Sequence, residues 1–397
     1  MSMYLGLLIV FGLFAIGDFL GVFTKAKLSS VFVALMLFLI LFMAGVIPSD
    51  IIAIAGLTDL SKMALGFLVF NMGTTINLAQ MKKEWKIVLM SIFAMLIAVF
   101  AVFLVSPLIG KKEAIVSIPI VNGGLVATQI MTNAALDKGF NQAAALGTLI
   151  FAVQKFVGTI PASRCGLSEA KILLEEYRKS SQVRKNTQEI NEEKTNNVNS
   201  NNEEKTPFYK KHEKYFTPYM TLGIAAVVLY ICNLIATKTD ISISIWALLA
   251  GMTLSQLGLV PNGILDKGKS SGLWMVASFA SLIPSLADIS IKQLSQLAFQ
   301  TVVVFAAVLV GIFIVLYFLP TWKFIGSKNL CIGIAMSQLL GFPATYLIVN
   351  EVATAVAETS EEKDYIVKKL FPAFVVSGFV SVTTISIIIA GIFAKFL

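Results

Sequence analysis

The chain has 397 residues, 57% of them hydrophobic and only 14% charged, with a mean hydropathy of +0.82. Soluble domains are nearer one half apolar and one quarter charged, so these values exclude that class and indicate a polytopic membrane protein. The formal charge of +8 does not indicate a nucleic-acid partner, because the basic residues fall in short flanks between apolar runs, as in loops on the cytoplasmic side of a membrane.

Six apolar runs open the chain, at 4–24, 30–48, 63–78, 87–110, 114–136 and 139–162. A crossing needs about 20 apolar residues, so each is a candidate span, the third being short and turning amphipathic around Asn71 to Lys86. The first run is too long for a signal-peptide core and has no basic residue before it, so it is expected to be retained as a span. Residues 163–216 differ in kind. Their Asn-, Glu-, Lys- and Ser-rich tract around 188–206 has too few large apolar residues to order itself and reads as a linker, with one amphipathic helix predicted over 169–184. A second set of six runs follows at 217–237, 241–260, 271–287, 297–320, 330–349 and 370–393, its third run again decaying into amphipathic sequence. The expected organisation is an N-terminal membrane repeat (1–162), a cytoplasmic polar linker (163–216) and a C-terminal membrane repeat (217–397).

The fifth run of each set carries the most specific pattern. Residues 118–133, Ile-Pro-Ile-Val-Asn-Gly-Gly-Leu-Val-Ala-Thr-Gln-Ile-Met-Thr-Asn, recur in altered form at 339–350, Leu-Leu-Gly-Phe-Pro-Ala-Thr-Tyr-Leu-Ile-Val-Asn. Gly124, Ala127, Thr128 and Asn133 match Gly341, Ala344, Thr345 and Asn350 at one constant offset. Glycine and proline both interrupt helices. Broken backbone at membrane depth is tolerated where it lines protein, water or a solute, and paired breaks in two halves point to a transporter's binding site.

Lysine and arginine placement then sets the topology. Lys25, Lys27, Lys82, Lys83, Lys86, the linker, Lys267, Lys269, Lys323, Lys328 and Lys363 to Lys369 all fall inside if each fifth run is a re-entrant hairpin. Each half then has five crossings, both termini face outward, and the odd number makes the repeats inverted. The fold expected is therefore all-α, with about ten transmembrane helices and two hairpins, in the plasma membrane. Lys111, Lys112 and Lys138 fall outside in this arrangement.

This order of spans, amphipathic third run, Gly-Gly hairpin and glycine-punctuated final helix resembles the sodium/glutamate symporter family, and more distantly the 2-hydroxycarboxylate transporters. The resemblance covers essentially the whole chain. Residues 117–127 resemble the family's first hairpin, with Leu125 and Val126 standing where the family has His-Gly, and 341–345 resemble its second. Asn122, Gly123, Gly124, Gly341, Pro343 and Thr345 are the matched positions. The resemblance implies an elevator-like symporter in which a mobile portion holds both hairpins, and no enzyme.

The expected substrate is a small organic anion, a glutamate-like amino acid or another carboxylate, drawn to helix N-termini at the hairpin tips. Its candidate contacts are Asn122, Gly123, Gly124, Thr128 and Gln129 in the first hairpin, and Gly341, Phe342, Pro343 and Thr345 in the second. Lys155, inside the sixth run, is a further candidate, since an ionisable residue within a span is costly. Sodium is the expected coupling ion, with Asn133, Asn350, Thr128 and Thr345 offering oxygens; no other cofactor is expected, and a homodimer is left open. The three cysteines, Cys165, Cys232 and Cys331, have no metal-ligand spacing, and the single histidine, His212, lies in the linker. The alternative, a cation/proton antiporter, would want a buried acidic pair, and no run contains one.

Overall fold

The structure is a computed structural model that describes residues 1–24, 29–188, 207–239, 241–287, 289–341 and 344–397, the side chains of 180–188 excepted. Lys25, Lys27, Asp288, the tract 189–206 and two hairpin candidates, Phe342 and Pro343, therefore lie outside the described residues. The fold is all-α, with no strand among the described residues.

The main helices are α1 (Met3–Phe23), α2 (Ser30–Met43), α3 (Thr58–Thr75), α4 (Trp85–Leu104), α5 (Lys111–Val121), α6 (Leu125–Asp137) and α7 (Asn141–Gln188), then α8 (Pro218–Thr239), α9 (Ile243–Gln256), α10 (Ser271–Ala280), α11 (Ile291–Phe318), α12 (Lys328–Leu340), α13 (Ala344–Val356) and α14 (Ser360–Phe396). Among the described residues six are long and apolar enough to cross a membrane: α1, α4, α7, α8, α11 and α14. They are the first, fourth and sixth runs of each half. In α7 and α14, 67% and 72% of the apolar window is buried, against 17% to 33% in the other four, so the sixth helices form the centre and the first and fourth present Tyr4, Phe19, Phe100, Tyr219, Tyr230 and Phe318 outward.

Two boundaries differ from expectation. Helix α7 passes through position 163 without a break and continues to Gln188, because Glu, Lys, Arg and Gln sustain a helix as well as leucine does once outside the apolar layer. Helix α14 starts at Ser360, ten residues before the apolar run, where Thr359 caps Glu362 and acidic residues occupy the first turn.

The helices pack as two groups, each drawing three runs from each half. One holds α1, α2, α3, α8, α9 and α10. Here α3 and α9 cross backbone to backbone, since a Cβ on Gly73 would stand 2.5 Å from Leu248 O and one on Gly251 2.5 Å from Phe70 O, a small-residue contact suited to a bilayer interior. Phe67 of α3 stacks on Trp274 of α10 at 4.1 Å. The polar end of α3 is engaged locally: Asn71 accepts from Leu265 N at 2.8 Å and donates to Asp266, and the Thr74 hydroxyl accepts from Gly263 N.

The second group holds α4, the broken pairs α5–α6 and α12–α13, α7, α11 and α14. The groups meet through few polar contacts. Gln129 of α6 donates to Ser61 O of α3 at 2.9 Å and accepts from the Ser278 hydroxyl of α10. The Thr148 and Ser285 hydroxyls lie 2.7 Å apart.

Candidate functional site

The two broken runs bend back on themselves. Lys112, at the start of α5, donates to the main-chain oxygen of Leu397, and Lys138, just past α6, donates to Ala394 O at 3.4 Å. The beginning and the end of this run thus lie at one end of the molecule, beside the last turn of α14, where Lys112 and Lys138 gather. The second run is anchored at the opposite end of α7. Ser327 and Asn329, at the start of α12, donate to Glu169, while Glu358, past α13, pairs with Arg178 at 3.0 Å. Arg178 also holds Glu362 at 2.7 Å.

Helix α7 serves as a common spine for both. Going along it, Gly147 lies under Ile120 and Thr132, Gln154 donates to Gly123 O at 3.0 Å, Gly158 accommodates Leu339 and Leu340, and Gly166 faces Val352. The first break is therefore met at Gln154 and the second at Gly158, about 6 Å apart at 1.5 Å per residue. Helix α14 runs past the same breaks in the reverse order, with Gly378 against Thr345 and Ser386 against Gly123. Between them is Val382. A Cβ on Gly124 would stand 2.6 Å from Val382 Cγ1, and one on Gly341 3.2 Å from Val382 Cγ2. Both tips rest on one side chain.

Local chemistry at the two tips matches. The Thr128 hydroxyl donates to Gly124 O at 2.9 Å and the Thr345 hydroxyl to Gly341 O at 3.3 Å, both fully buried. Helices α6 and α13 each begin at a tip, turning the positive end of the dipole towards it. The glycines differ in their reason for being glycine. Gly341 has φ +65°, in the left-handed region. Gly124 has φ −123°, so its constraint is the Val382 methyl.

Around the tips lie buried polar atoms without partners among the described residues: Asn122 Oδ1, Gln154 Oε1, and both Oε1 and Nε2 of Gln338. Opposite them, α14 contains π turns at Pro372–Val376 and Val380–Ile385, a feature frequent at functional sites. Ser377, Ser381 and Ser386 are buried along it. The buried acidic side chains among the described residues, Glu169 and Glu362, lie at the far base of the second pair, leaving the junction uncharged apart from Lys155. Lys155 is partly buried beside Gln154, and its ammonium has no hydrogen bond or ion pair among the described residues. Its neighbours Phe151 and Phe156 reach across to Phe279 and Phe32 of the other helix group.

Of the sequence-predicted residues, Asn122, Gly123, Gly124, Thr128, Gly341 and Thr345 come together at this junction, with Lys155 on its flank. Gln129 is one turn farther on, its amide engaged by Ser61 and Ser278. Asn133 is away from the tips, lining a cleft of about 390 Å³ between the helix groups with Asp50, Lys62, Asp137 and Ser281. Asn350 is likewise distant, partly exposed and donating to Tyr346 O at 2.9 Å. Sequence reasoning missed Gln154, Gln338 and Val382. A glutamine inside an apolar run was a readable signal for the first two; nothing in the sequence marks Val382.

No protein-family model matches this chain, and no curated protein matches it. The fold and composition define an all-α membrane protein with a buried polar junction at two helix breaks.

Proposed function

We propose that this protein is a secondary active transporter that couples sodium to the uptake of a small organic anion through an elevator-like movement. The observation that carries this reading is the meeting of two broken helix pairs, anchored at opposite ends of the molecule, on Val382 beside buried amide side chains with unpartnered atoms. Such breaks give a polar solute both dipole ends and free carbonyls at the depth where a bilayer otherwise forbids them. The division of each half into three runs per group supplies the mobile and static portions that such a movement needs.

The repeats are read as inverted, with both hairpins re-entrant and ten crossings in all. The recurrence of long apolar helices at the first, fourth and sixth runs of each half, the opposed directions of α7 and α14 and the opposite anchoring of the hairpins support this. The end holding residues 3–6, 137–141 and 394–397 faces outward in the plasma membrane, and the end holding Arg178, Lys267, Lys323 and Lys363 faces the cytoplasm. Single cysteines in a cysteine-free background test it. One at Lys395 will react with an impermeant thiol reagent on intact cells and one at Ser360 will be shielded; labelling of Ser360 from outside rejects the re-entrant second hairpin.

Coupling follows from charge. An anion entering a cell that is negative inside is opposed by about 2.3 kcal/mol per charge per 100 mV, so more than one cation must accompany each monovalent anion for the potential to assist uptake. Hydroxyl and amide ligands without a buried acidic pair favour sodium over protons. Proteoliposomes given a panel of amino acids and carboxylates will accumulate one class faster under an inward sodium gradient than under a proton gradient alone; the reverse order rejects sodium coupling.

A further inference from the structure

Helices α4 and α11 pack side by side in opposite directions: Gly311 of α11 receives Ala101 of α4, and Trp85, the first residue of α4, meets Phe324, just past the end of α11, edge to face at 5.6 Å. Both helices are long, apolar and mostly unburied. Their shared end therefore marks a boundary of the apolar layer, the depth at which tryptophan and tyrosine settle. Lysines crowd it. Lys82, Lys83 and Lys86 flank Trp85, and Lys323 and Lys328 follow α11.

Three of these lysines are seated on rings. The Lys86 Nζ is 5.5 Å from the centre of Phe324, Lys323 is 5.8 Å from Trp322, and Lys328 is 5.0 Å from Tyr317 and 5.5 Å from Trp322. Since Trp322 serves two of them and Phe324, two residues on, serves the third, one aromatic platform holds all three ammonium groups. None of the three has a carboxylate partner or a hydrogen bond among the described residues. The nearby Glu169 is taken up by Ser327 and Asn329, and Glu84 forms no ion pair among the described residues. Like charges kept together in this way are complementary to an anion. The surface leading from them into the apolar layer is bare: Leu89, one turn beyond Lys86, is 48% exposed, and Ile314, one turn before Tyr317, is 51% exposed. A ligand that covers both parts needs an anionic head and an apolar tail, and a free phosphate has only the first.

We propose that this end of α4 and α11 binds an anionic phospholipid, with its phosphate among Lys86, Lys323 and Lys328 and its acyl chains along Leu89 and Ile314. Lys328 is also the first residue of α12, so the bound lipid braces the base of the second broken pair. This holds whether or not the protein transports.

Binding is read without transport. Full-length protein in a neutral detergent is titrated with short-chain phosphatidylglycerol, with phosphatidylcholine of the same chains and with glycerol 3-phosphate, following the melting temperature. Phosphatidylglycerol will stabilise wild type at concentrations where the other two have no effect. Lys86→Gln, Lys323→Gln and Lys328→Gln together will raise its half-saturating concentration fivefold or more, whereas Lys86→Arg, Lys323→Arg and Lys328→Arg together will keep it within twofold. Lys210→Gln, Lys211→Gln and Lys214→Gln, an equal loss of charge elsewhere, will leave it unchanged. If the first triple variant does not fold, Lys328→Gln decides alone, and a rise of less than twofold overturns the site. An equal response to phosphatidylcholine reduces the surface to hydrocarbon contact, and an equal response to glycerol 3-phosphate makes it a site for a soluble phosphate; either overturns the proposal. So does an unchanged half-saturation point in the first triple variant, or an equal rise in the Lys210 set, since net charge alone would then attract the lipid.

Discussion

Gly124→Ala will cripple transport, and adding Val382→Ala will restore most of it, whereas Gly341→Ala will stay inactive in either background. The difference lies in what each glycine avoids. At Gly124 the backbone is extended, with φ −123°, and the obstacle to a methyl group is the Val382 side chain at 2.6 Å. Shortening valine to alanine removes that atom. At Gly341 the same valine is at 3.2 Å, but φ is +65°, and an L residue is strained there whatever surrounds it, by about 1 kcal/mol or more. Uptake rates with matched surface expression provide the measurement. Equal rescue of both glycines by Val382→Ala would show that contact alone constrains the tips; wild-type rates in the unrescued variants would make the tips packing devices with no solute.

A disulfide between Thr148→Cys and Ser285→Cys will abolish transport, and a reductant will return it. The native hydroxyls lie 2.7 Å apart across the boundary between the two helix groups, so paired thiols there can be oxidised with little backbone movement. Movement of one group past the other would pull this pair apart. The three native cysteines, all free, are replaced first so that only the engineered pair can close. Undiminished uptake by fully cross-linked protein would mean that the groups do not slide, and the elevator reading would fall even if transport itself stands.

Elements governed by local chemistry were legible in the sequence. The apolar run at 4–24 is matched by Met3–Phe23, and both helix breaks fall at the glycines that marked them, because a missing side chain or a positive φ acts within a few residues. Elements governed by partners were not. Gln129 looked like a solute contact, and whether its amide meets a solute or Ser61 and Ser278 depends on which helix lies opposite. Gln154 and Gln338 are single polar residues in apolar runs, and periodicity assigns no direction to a single residue. The length of α7 was hidden for another reason: its second part is polar, so hydropathy ended it at the membrane boundary while helix propensity carried it on. Asn133 and Asn350 matched in register with the tips but not in place, since about nine residues of helix put them some 13 Å along.

The shared seat on Val382 bears on leakage. A carrier with a gate on each side wastes its gradient whenever both gates are ajar. Here, on the reading proposed, both hairpin tips bear on the two γ methyls of one side chain, so a shift of Val382 alters the seat of both at once. The two gates would then be interlocked by steric exclusion at one residue, and the tightness of coupling between ion and solute flux would be set by the bulk of that residue more than by the affinity of either site.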